Sequence, residues 1–207
     1  QIVGWVGWLK APDTSNAIHG HRGIPLNRSP ALGADQWSEF GERMTAVADY
    51  IASEGLRFAY HHHLGTVVET ADELDCFLAH TGDNVGLTLD SGHASFGGIN
   101  PVEVIRTAPQ RIAHVHCKDI RRSVFEHVST HGGSFLDGVL DGMFTVPGDG
   151  DLDFAILLKG LQAIGYSGWV VVEAEQDPTA ANPPDYAQLG LAVLRGEAGA
   201  AGLKEAA

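Results

Sequence analysis

Histidines and carboxylates follow several short apolar segments, where they could act as metal ligands. These residues are His61, His62 and His63; Asp90 and His93; His114, His116, Lys118 and Asp119; and Glu173 and Glu175. Imidazole and carboxylate ligands suit Mn, Co, Fe or Zn in octahedral or five-coordinate sites with open positions. A closed structural zinc site would need closely spaced cysteines, and only Cys76 and Cys117 occur. The pattern therefore predicts a catalytic metal site.

Strand alternation groups these side chains in pairs. Residues i and i+2 of a strand share a face, so His61 lies with His63, His114 with His116, and Glu173 with Glu175. In a barrel of parallel strands, all the carboxyl ends meet at one mouth, where barrel enzymes keep their active sites. Blander interpretations stay open: the three histidines as the remnant of a tag, His93 and His114 as core histidines, and Glu175 as a solvated loop carboxylate.

The elements that must position these residues alternate between strand and helix. Strands are predicted at 2–9, 56–63, 85–90, 112–118 and 168–175, and helices at 35–53, 70–80, 101–108, 153–164 and 184–195. Gly55 and Gly165 follow helices as C-terminal caps, and Asn100 precedes Pro101 as an N-cap. We expect a long loop at 11–32, an extra helix around 134–142 and a frayed tail at 196–207. The order indicates βαβ units in a single α/β domain spanning 1–207.

Composition excludes several classes of protein. The formal net charge of −13 disfavours binding to nucleic acid or to a membrane surface. Two cysteines without a C-x-x-C spacing give no disulfide framework, so we expect a cytoplasmic protein. The chain begins with Gln1 inside an apolar run, and we expect it to be the C-terminal portion of a longer chain.

A second acidic motif has a structural explanation. Asp149, Asp151 and Asp153 resemble the start of a calcium loop, but the motif has Gly160 where the closing glutamate belongs. We expect Asp153 to cap the next helix instead. The dinucleotide fingerprint and the serine-nucleophile elbow are both absent from the sequence.

Five motifs resemble those of the myo-inosose-2 dehydratases, which belong to the xylose-isomerase-like TIM-barrel superfamily. They are YHHHLGTVVE at 60–69, LDSGH at 89–93, HVHCKD at 114–119, FTVPGDG at 144–150 and GWVVVEAEQDP at 168–178. The likeness covers nearly the whole chain, and YHHH and EAEQDP are its more specific parts. It implies the C-terminal part, about five βα units, of a (β/α)8 barrel, because a complete barrel takes about 250 residues.

The resemblance also implies a ligand set. Asp90, His116 and Glu173 match the superfamily's metal ligands. The fourth ligand is usually a glutamate at the position of His61, which leaves His61, His63 or a water in that role. The resemblance favours Mn or Co as the divalent metal and allows glutathione as a further cofactor.

The activity implied is dehydration of 2-keto-myo-inositol (scyllo-inosose) to a trihydroxycyclohexane-1,2-dione in inositol catabolism. The implied substrate is a small polyol ketone. Assembly into a homo-oligomer is also compatible with the resemblance. Candidates for proton transfer are His63, His93 and Glu175, with Lys118 holding the developing anion. His93, His114 and Lys118 are the candidates for substrate binding. The alternatives are a ketose isomerase or epimerase of the same superfamily, and a non-catalytic fragment with an exposed strand edge.

Overall fold

The fold is α/β, with helices between the strands of a parallel sheet. The computed structural model describes residues 2–4 and 31–205. The strands are β1 (Ile2–Gly4), β2 (Phe58–His61), β3 (Val85–Asp90), β4 (Ile112–Cys117), β5 (Asp119–Ile120), β6 (Phe144–Thr145) and β7 (Val170–Val172). The helices are α1 (Trp37–Ser53), α2 (Ala71–His80), α3 (Ser91–Phe96), α4 (Pro101–Thr107), α5 (Arg122–Thr130), α6 (Phe135–Leu140), α7 (Phe154–Ala163) and α8 (Pro183–Ala201).

The main sheet has five strands in the order β1-β2-β3-β4-β7, and every neighbouring pair is parallel. Strand order therefore follows chain order, as repeated βαβ units require. The register pairs Asp90 with His116 and His116 with Val171. Because Glu173 follows Val171 by two residues, it lies on the same face as His116 and Asp90.

Apolar strands covered by amphipathic helices form the core of the sheet. All six residues of β3 are buried, as expected for a central strand packed on both faces. The main apolar cluster joins the strands to α1, α2, α4 and α7 through side chains such as Tyr60, Phe77, Leu87 and Leu158. A smaller cluster around Leu64, Phe135 and Phe144 lies beside the carboxyl end of the sheet.

Helix boundaries follow the expected capping residues. Asn100 accepts hydrogen bonds from the Val102 and Glu103 amides at the start of α4, and Asp153 accepts one from the Ile156 amide at the start of α7. The prediction that Asp153 caps this helix is therefore confirmed. Gly55 has φ +76°, a left-handed conformation that favours glycine directly after α1.

Several elements differ from the sequence-based expectation or lie outside the described residues. The short helices α3 and α5 and the two-residue strands β5 and β6 were not predicted. Helix α8 continues to Ala201, six residues into the segment 196–207 that was expected to fray. The predicted strand 2–9 is described only at β1, and the predicted loop 11–32 lies outside the described residues except at its end. The helix expected around 134–142 is confirmed as α6, which Ser134 caps.

Strands β5 and β6 form an antiparallel ribbon beside the end of β4. Asp119 fixes the turn that follows β6. Its carboxylate accepts from the amides of Ile120, Gly148, Gly150 and Leu152 at 2.8–3.1 Å. A Cβ at Gly150 would lie 2.4 Å from the Ile120 carbonyl oxygen, so only glycine fits this close approach. In the described part of the chain, none of the helices combines the length and apolar character that crossing a membrane requires.

Candidate active site and metal centre

Asp90, His116 and Glu173 converge at the carboxyl end of the sheet. His116 Nδ1 lies 2.6 Å from Glu173 Oε2 and 3.4 Å from Asp90 Oδ2. One ligand atom from each residue lies within 4.8 Å of the others. The sheet thus brings together three side chains that are up to 83 positions apart in the sequence.

The polar atoms at this point fit a divalent cation. Asp90 Oδ2, His116 Nδ1 and Glu173 Oε2 are buried, and none has a hydrogen-bond partner among the described residues. Buried polar atoms are normally satisfied, and two carboxylates are costly to bury without a counter-charge. Two oxygens and one imidazole nitrogen directed at a common point are ligands that Zn, Mn or Co accept.

Asp90 is held rigidly because it also caps a helix. Its Oδ1 accepts hydrogen bonds from the amides of Gly92 and His93, each at 2.9 Å, at the start of α3. The cap orients the carboxylate so that Oδ2 faces His61, His116 and Lys118. The backbone amide of Asp90 lies 3.4 Å from Nε2 of the buried His62. Burial lowers the pKa of His62 to about 3, so the neutral ring can accept this hydrogen bond.

The two candidates for a fourth ligand face different groups. His61 Nε2 lies 3.5 Å from Asp90 Oδ2, whereas His63 Nε2 lies 3.9 Å from Glu175 Oε1. The rings of His61 and His116 are 4.9 Å apart. Of the two, His61 is therefore the neighbour of the Asp90–His116–Glu173 group.

A second group surrounds the fully buried ammonium of Lys118. Lys118 Nζ donates to Glu175 Oε2 at 2.7 Å and lies 2.9 Å from His93 Nε2. It lies 3.6 Å from Asp90 Oδ2 and 3.5 Å from Glu173 Oε1, so Lys118 links the two groups. The face of Phe144 covers the ammonium at 4.8 Å from the ring centroid.

Residues of the segment 90–93 hold Lys118 in place through separate contacts. Ser91 Oγ accepts from the Lys118 amide at 3.0 Å and donates to the Lys118 carbonyl at 2.8 Å. A Cβ at Gly92 would lie 2.8 Å from Lys118 Cγ, so glycine makes room for the lysine stem. His93 contacts the ammonium itself. Each residue of this Asp-Ser-Gly-His motif therefore has its own structural role at the site.

The hydrogen bond of His63 fixes its tautomer. His63 Nδ1 lies 2.7 Å from the Leu64 carbonyl oxygen, which can only accept, so Nδ1 carries the proton. In the neutral ring Nε2 then bears the lone pair, and it faces Glu175. Burial holds the pKa of His63 well below its usual range, which favours the neutral ring. The ring therefore has the tautomer and charge that a general base needs, while the lowered pKa makes it a weaker base than a free imidazole.

His114 lies deeper, two residues before His116 on β4. The two rings are 5.1 Å apart, and the register pairs His114 with Thr88. His114 Nδ1 and Thr88 Oγ1 are buried and have no hydrogen-bond partner among the described residues. Burial lowers the pKa of His114 to about 4. A neutral imidazole in this position can bind a hydroxyl group or a water, but it lies apart from the Lys118 group.

Sequence reasoning missed the contribution of the β5–β6 ribbon. Thr145 donates to Asp149 Oδ2 at 2.6 Å and accepts from Gln176 Nε2 at 3.3 Å. Arg121 donates to both Thr145 and Asp149. The ribbon therefore anchors the residue next to Glu175. Only FTVPGDG at 144–150, noted for its family resemblance, pointed to this region.

Opposite charges set the protonation states. Burial acts to lower the pKa of His116, but the carboxylates of Asp90 and Glu173 outweigh it and raise the pKa to about 9. Burial acts to raise the pKa of Glu175, but Lys118 and His93 hold it well below its usual range. The carboxylates raise the pKa of Lys118 despite burial. Glu175 is thus an ionised partner of an ammonium, which makes it a weak base.

Comparison with known proteins assigns the fold family. The family model for the xylose isomerase-like TIM barrel matches residues 11–197 of the sequence. The chain is 45% identical over 192 residues to the rhizopine catabolism protein MocC of Rhizobium meliloti, covering 93% of this chain and 59% of that protein. It is 42% identical over 188 residues to an inosose dehydratase of Clostridium botulinum, covering 90% of this chain and 63% of that enzyme. The chain thus spans about three fifths of these curated relatives.

Solved structures agree in fold. A probable 3-DHS dehydratase of Bacillus anthracis superposes with a TM-score of 0.62 at 16% identity, covering 79% of this chain and 58% of that one. The IOLI protein with a bound zinc atom superposes with a TM-score of 0.54 at 23% identity, covering 86% and 59%. Identities this low bear on the fold alone. Together with the matched family model, they lead to the conclusion that the chain belongs to the xylose isomerase-like TIM barrel family.

Proposed function

We propose that the protein dehydrates 2-keto-myo-inositol to a trihydroxycyclohexane-1,2-dione in inositol catabolism. The observation that carries the proposal is the pairing of two groups at one end of the sheet. Asp90, His116 and Glu173 form the first group, and His63, Lys118 and Glu175 belong to the second. The 42% identity over 188 residues to an inosose dehydratase supports this reaction.

Asp90, His116, Glu173 and His61 would hold a divalent cation. A cation there supplies Lewis acidity next to the ketone, which acidifies the neighbouring C–H bond. The zinc bound by the related IOLI protein supports a divalent ion, and Mn and Co remain the ions that the family resemblance favours. Glutathione remains a further cofactor to test.

His63 is the proposed base. Its Nε2 lone pair takes the proton from the carbon next to the ketone, while the Leu64 carbonyl holds Nδ1–H in place. The bond to the hydroxyl on the next carbon then breaks. The proton on His63 is available to this leaving hydroxide, so one water departs. The resulting enol tautomerises to the second carbonyl of the dione.

Lys118 stabilises the charge that develops. Its ammonium has three donors, and Glu175 and His93 hold it beside the first group. A buried ammonium fixed in advance stabilises an enolate oxygen without reorganising. His114 is the proposed contact for a substrate hydroxyl, because its Nδ1 has no hydrogen-bond partner among the described residues.

A metal depletion and add-back assay tests the proposal. Protein from the complete reading frame is stripped with chelator, reloaded with Mn²⁺, Co²⁺ or Zn²⁺, and mixed with 2-keto-myo-inositol, with and without glutathione. We expect metal-dependent ultraviolet absorbance from the dione. Sugar interconversion without dione absorbance would instead support the isomerase or epimerase alternative, and activity in the fully stripped protein would remove the metal from the proposal.

A further inference from the structure

The environment of Lys118 has the composition of a metal site. His63 Nε2, His93 Nε2 and a Glu175 carboxylate oxygen lie within 4.8 Å of one another. Two nitrogens and one carboxylate oxygen are a common ligand set for a divalent ion. This group stands beside the Asp90–His116–Glu173 group without sharing a residue with it.

The lysine ammonium contacts two of these three ligand residues. Lys118 Nζ lies 2.7 Å from Glu175 Oε2 and 2.9 Å from His93 Nε2. A divalent ion binds such atoms at about 2.0–2.2 Å, so a metal in the same position would need shifts of less than about 1 Å. We propose that the Lys118 ammonium occupies a second cation position built from His63, His93 and Glu175, so that the native protein takes one divalent ion and loss of Lys118 opens a site for another.

Charge balance supports this division between one metal and one ammonium. The two groups contain three carboxylates, those of Asp90, Glu173 and Glu175, and Lys118 lies within 3.6 Å of each. When His116 ligates a metal it must be neutral. With neutral histidines, one ammonium and one divalent cation then leave the two groups formally neutral. A second divalent ion beside Lys118 would leave the buried groups with an excess of positive charge, which is costly.

The position is also built for the lysine stem. Gly92 leaves room for the stem, Ser91 fixes the backbone of Lys118, and Phe144 covers the ammonium. The side chain is fully buried. The inference rests on the proposed metal centre, but its test uses metal content rather than activity.

Metal stoichiometry tests the inference. Chelator-stripped protein is loaded with MnCl₂, desalted and analysed for bound manganese by mass spectrometry. We expect one ion per chain in the wild type and two in Lys118→Ala. The double variant Lys118→Ala/Glu175→Gln should return to one ion, since it lacks the carboxylate ligand. The matched control is Lys159→Ala, which removes an exposed lysine on α7 and should bind one ion.

The outcomes separate this inference from the proposed function. Lys118→Ser also empties the position of the ammonium and serves as a second variant if Lys118→Ala does not fold; two ions are expected there as well. Equal ion counts in the wild type and the folded Lys118 variants, or two ions in the wild type, would overturn the inference. No ion in the wild type but one in Lys118→Ala would support the second position while removing the metal from the proposed function.

Discussion

His116 Nδ1 lies 2.6 Å from Glu173 Oε2, yet the two atoms do not form a hydrogen bond of acceptable geometry. Asp90 Oδ2 approaches the same nitrogen at 3.4 Å and is equally unsatisfied among the described residues. Three buried polar atoms therefore lie close to one another without forming hydrogen bonds among the described residues. A cation between them would satisfy all three, which leads to the first prediction.

Loss of one of these ligands should abolish metal binding and activity together. We expect His116→Ala and Glu173→Gln to lower metal affinity by at least about 100-fold, since even the residues that only orient ligands are worth 10–100-fold. Titration with Mn²⁺ or Co²⁺ measures the affinity. The control His127→Ala removes an exposed histidine on α5 and should bind metal normally. Normal metal content and dione formation in His116→Ala would show that the ligand assignment is wrong.

His63→Gln should separate chemistry from metal binding. The variant lacks the Nε2 lone pair, and general bases contribute about 10²–10⁴-fold to rate, so kcat should fall by that range. Metal content should be unchanged, because His63 faces Glu175 rather than Asp90. Exchange of the substrate's α-proton in deuterated water provides the second measurement. Wild-type exchange in this variant would exclude His63 as the base.

Gly92→Ala should damage the site through the stem of Lys118. The new Cβ would lie 2.8 Å from Cγ and 2.9 Å from Cδ of the lysine, which must shift away from Glu175 and His93. We expect a fall in kcat of at least about tenfold with metal retained, given how steeply catalysis depends on positioning.

A glycine in another helix provides the matched control for this substitution. In Gly160→Ala, the nearest atoms to the new Cβ belong to Ile105 at 3.6 Å, an ordinary contact. Alanine favours a helix by up to about 1 kcal/mol over glycine, so Gly160→Ala should be active and slightly more stable. Equal kcat values for the two variants would contradict the role of Gly92.

The sequence predicts the central part of this site well because strand periodicity determines it. Asp90, His116 and Glu173 each follow or end an apolar run, and parallel strands bring such ends together. The predicted pairing of His61 with His63 is less exact: their rings are 5.3 Å apart, but β2 ends at His61 and the two side chains face different groups. Whether these residues ligate a metal remains a prediction, which the variants above test.

The parts that escaped prediction depend on contacts between distant residues in irregular segments. Strands β5 and β6 have two residues each, too few to show a period, and the carboxylate of Asp119 accepts from amides about 30 positions later. Nor does periodicity indicate that Asp90 caps α3 as well as facing His116, because a residue that both ends a strand and caps a helix interrupts both patterns. The sequence did not predict that the ring of His62 contacts the Asp90 amide, because nothing distinguished His62 from the histidines on either side of it.

The last prediction concerns the hydrogen bonds between the β5–β6 ribbon and the loop after β7. Thr145 Oγ1 joins Gln176 to Asp149, and Gln176 directly follows Glu175. Thr145→Val keeps the shape of the side chain but removes the hydroxyl, so residues 173–177 should become more mobile and Glu175 should orient Lys118 less well. We expect faster amide hydrogen exchange in this segment and a lower kcat. Thr145→Ser retains the hydroxyl and should restore both, whereas equal exchange rates in the two variants would mean that Thr145 does not anchor the loop.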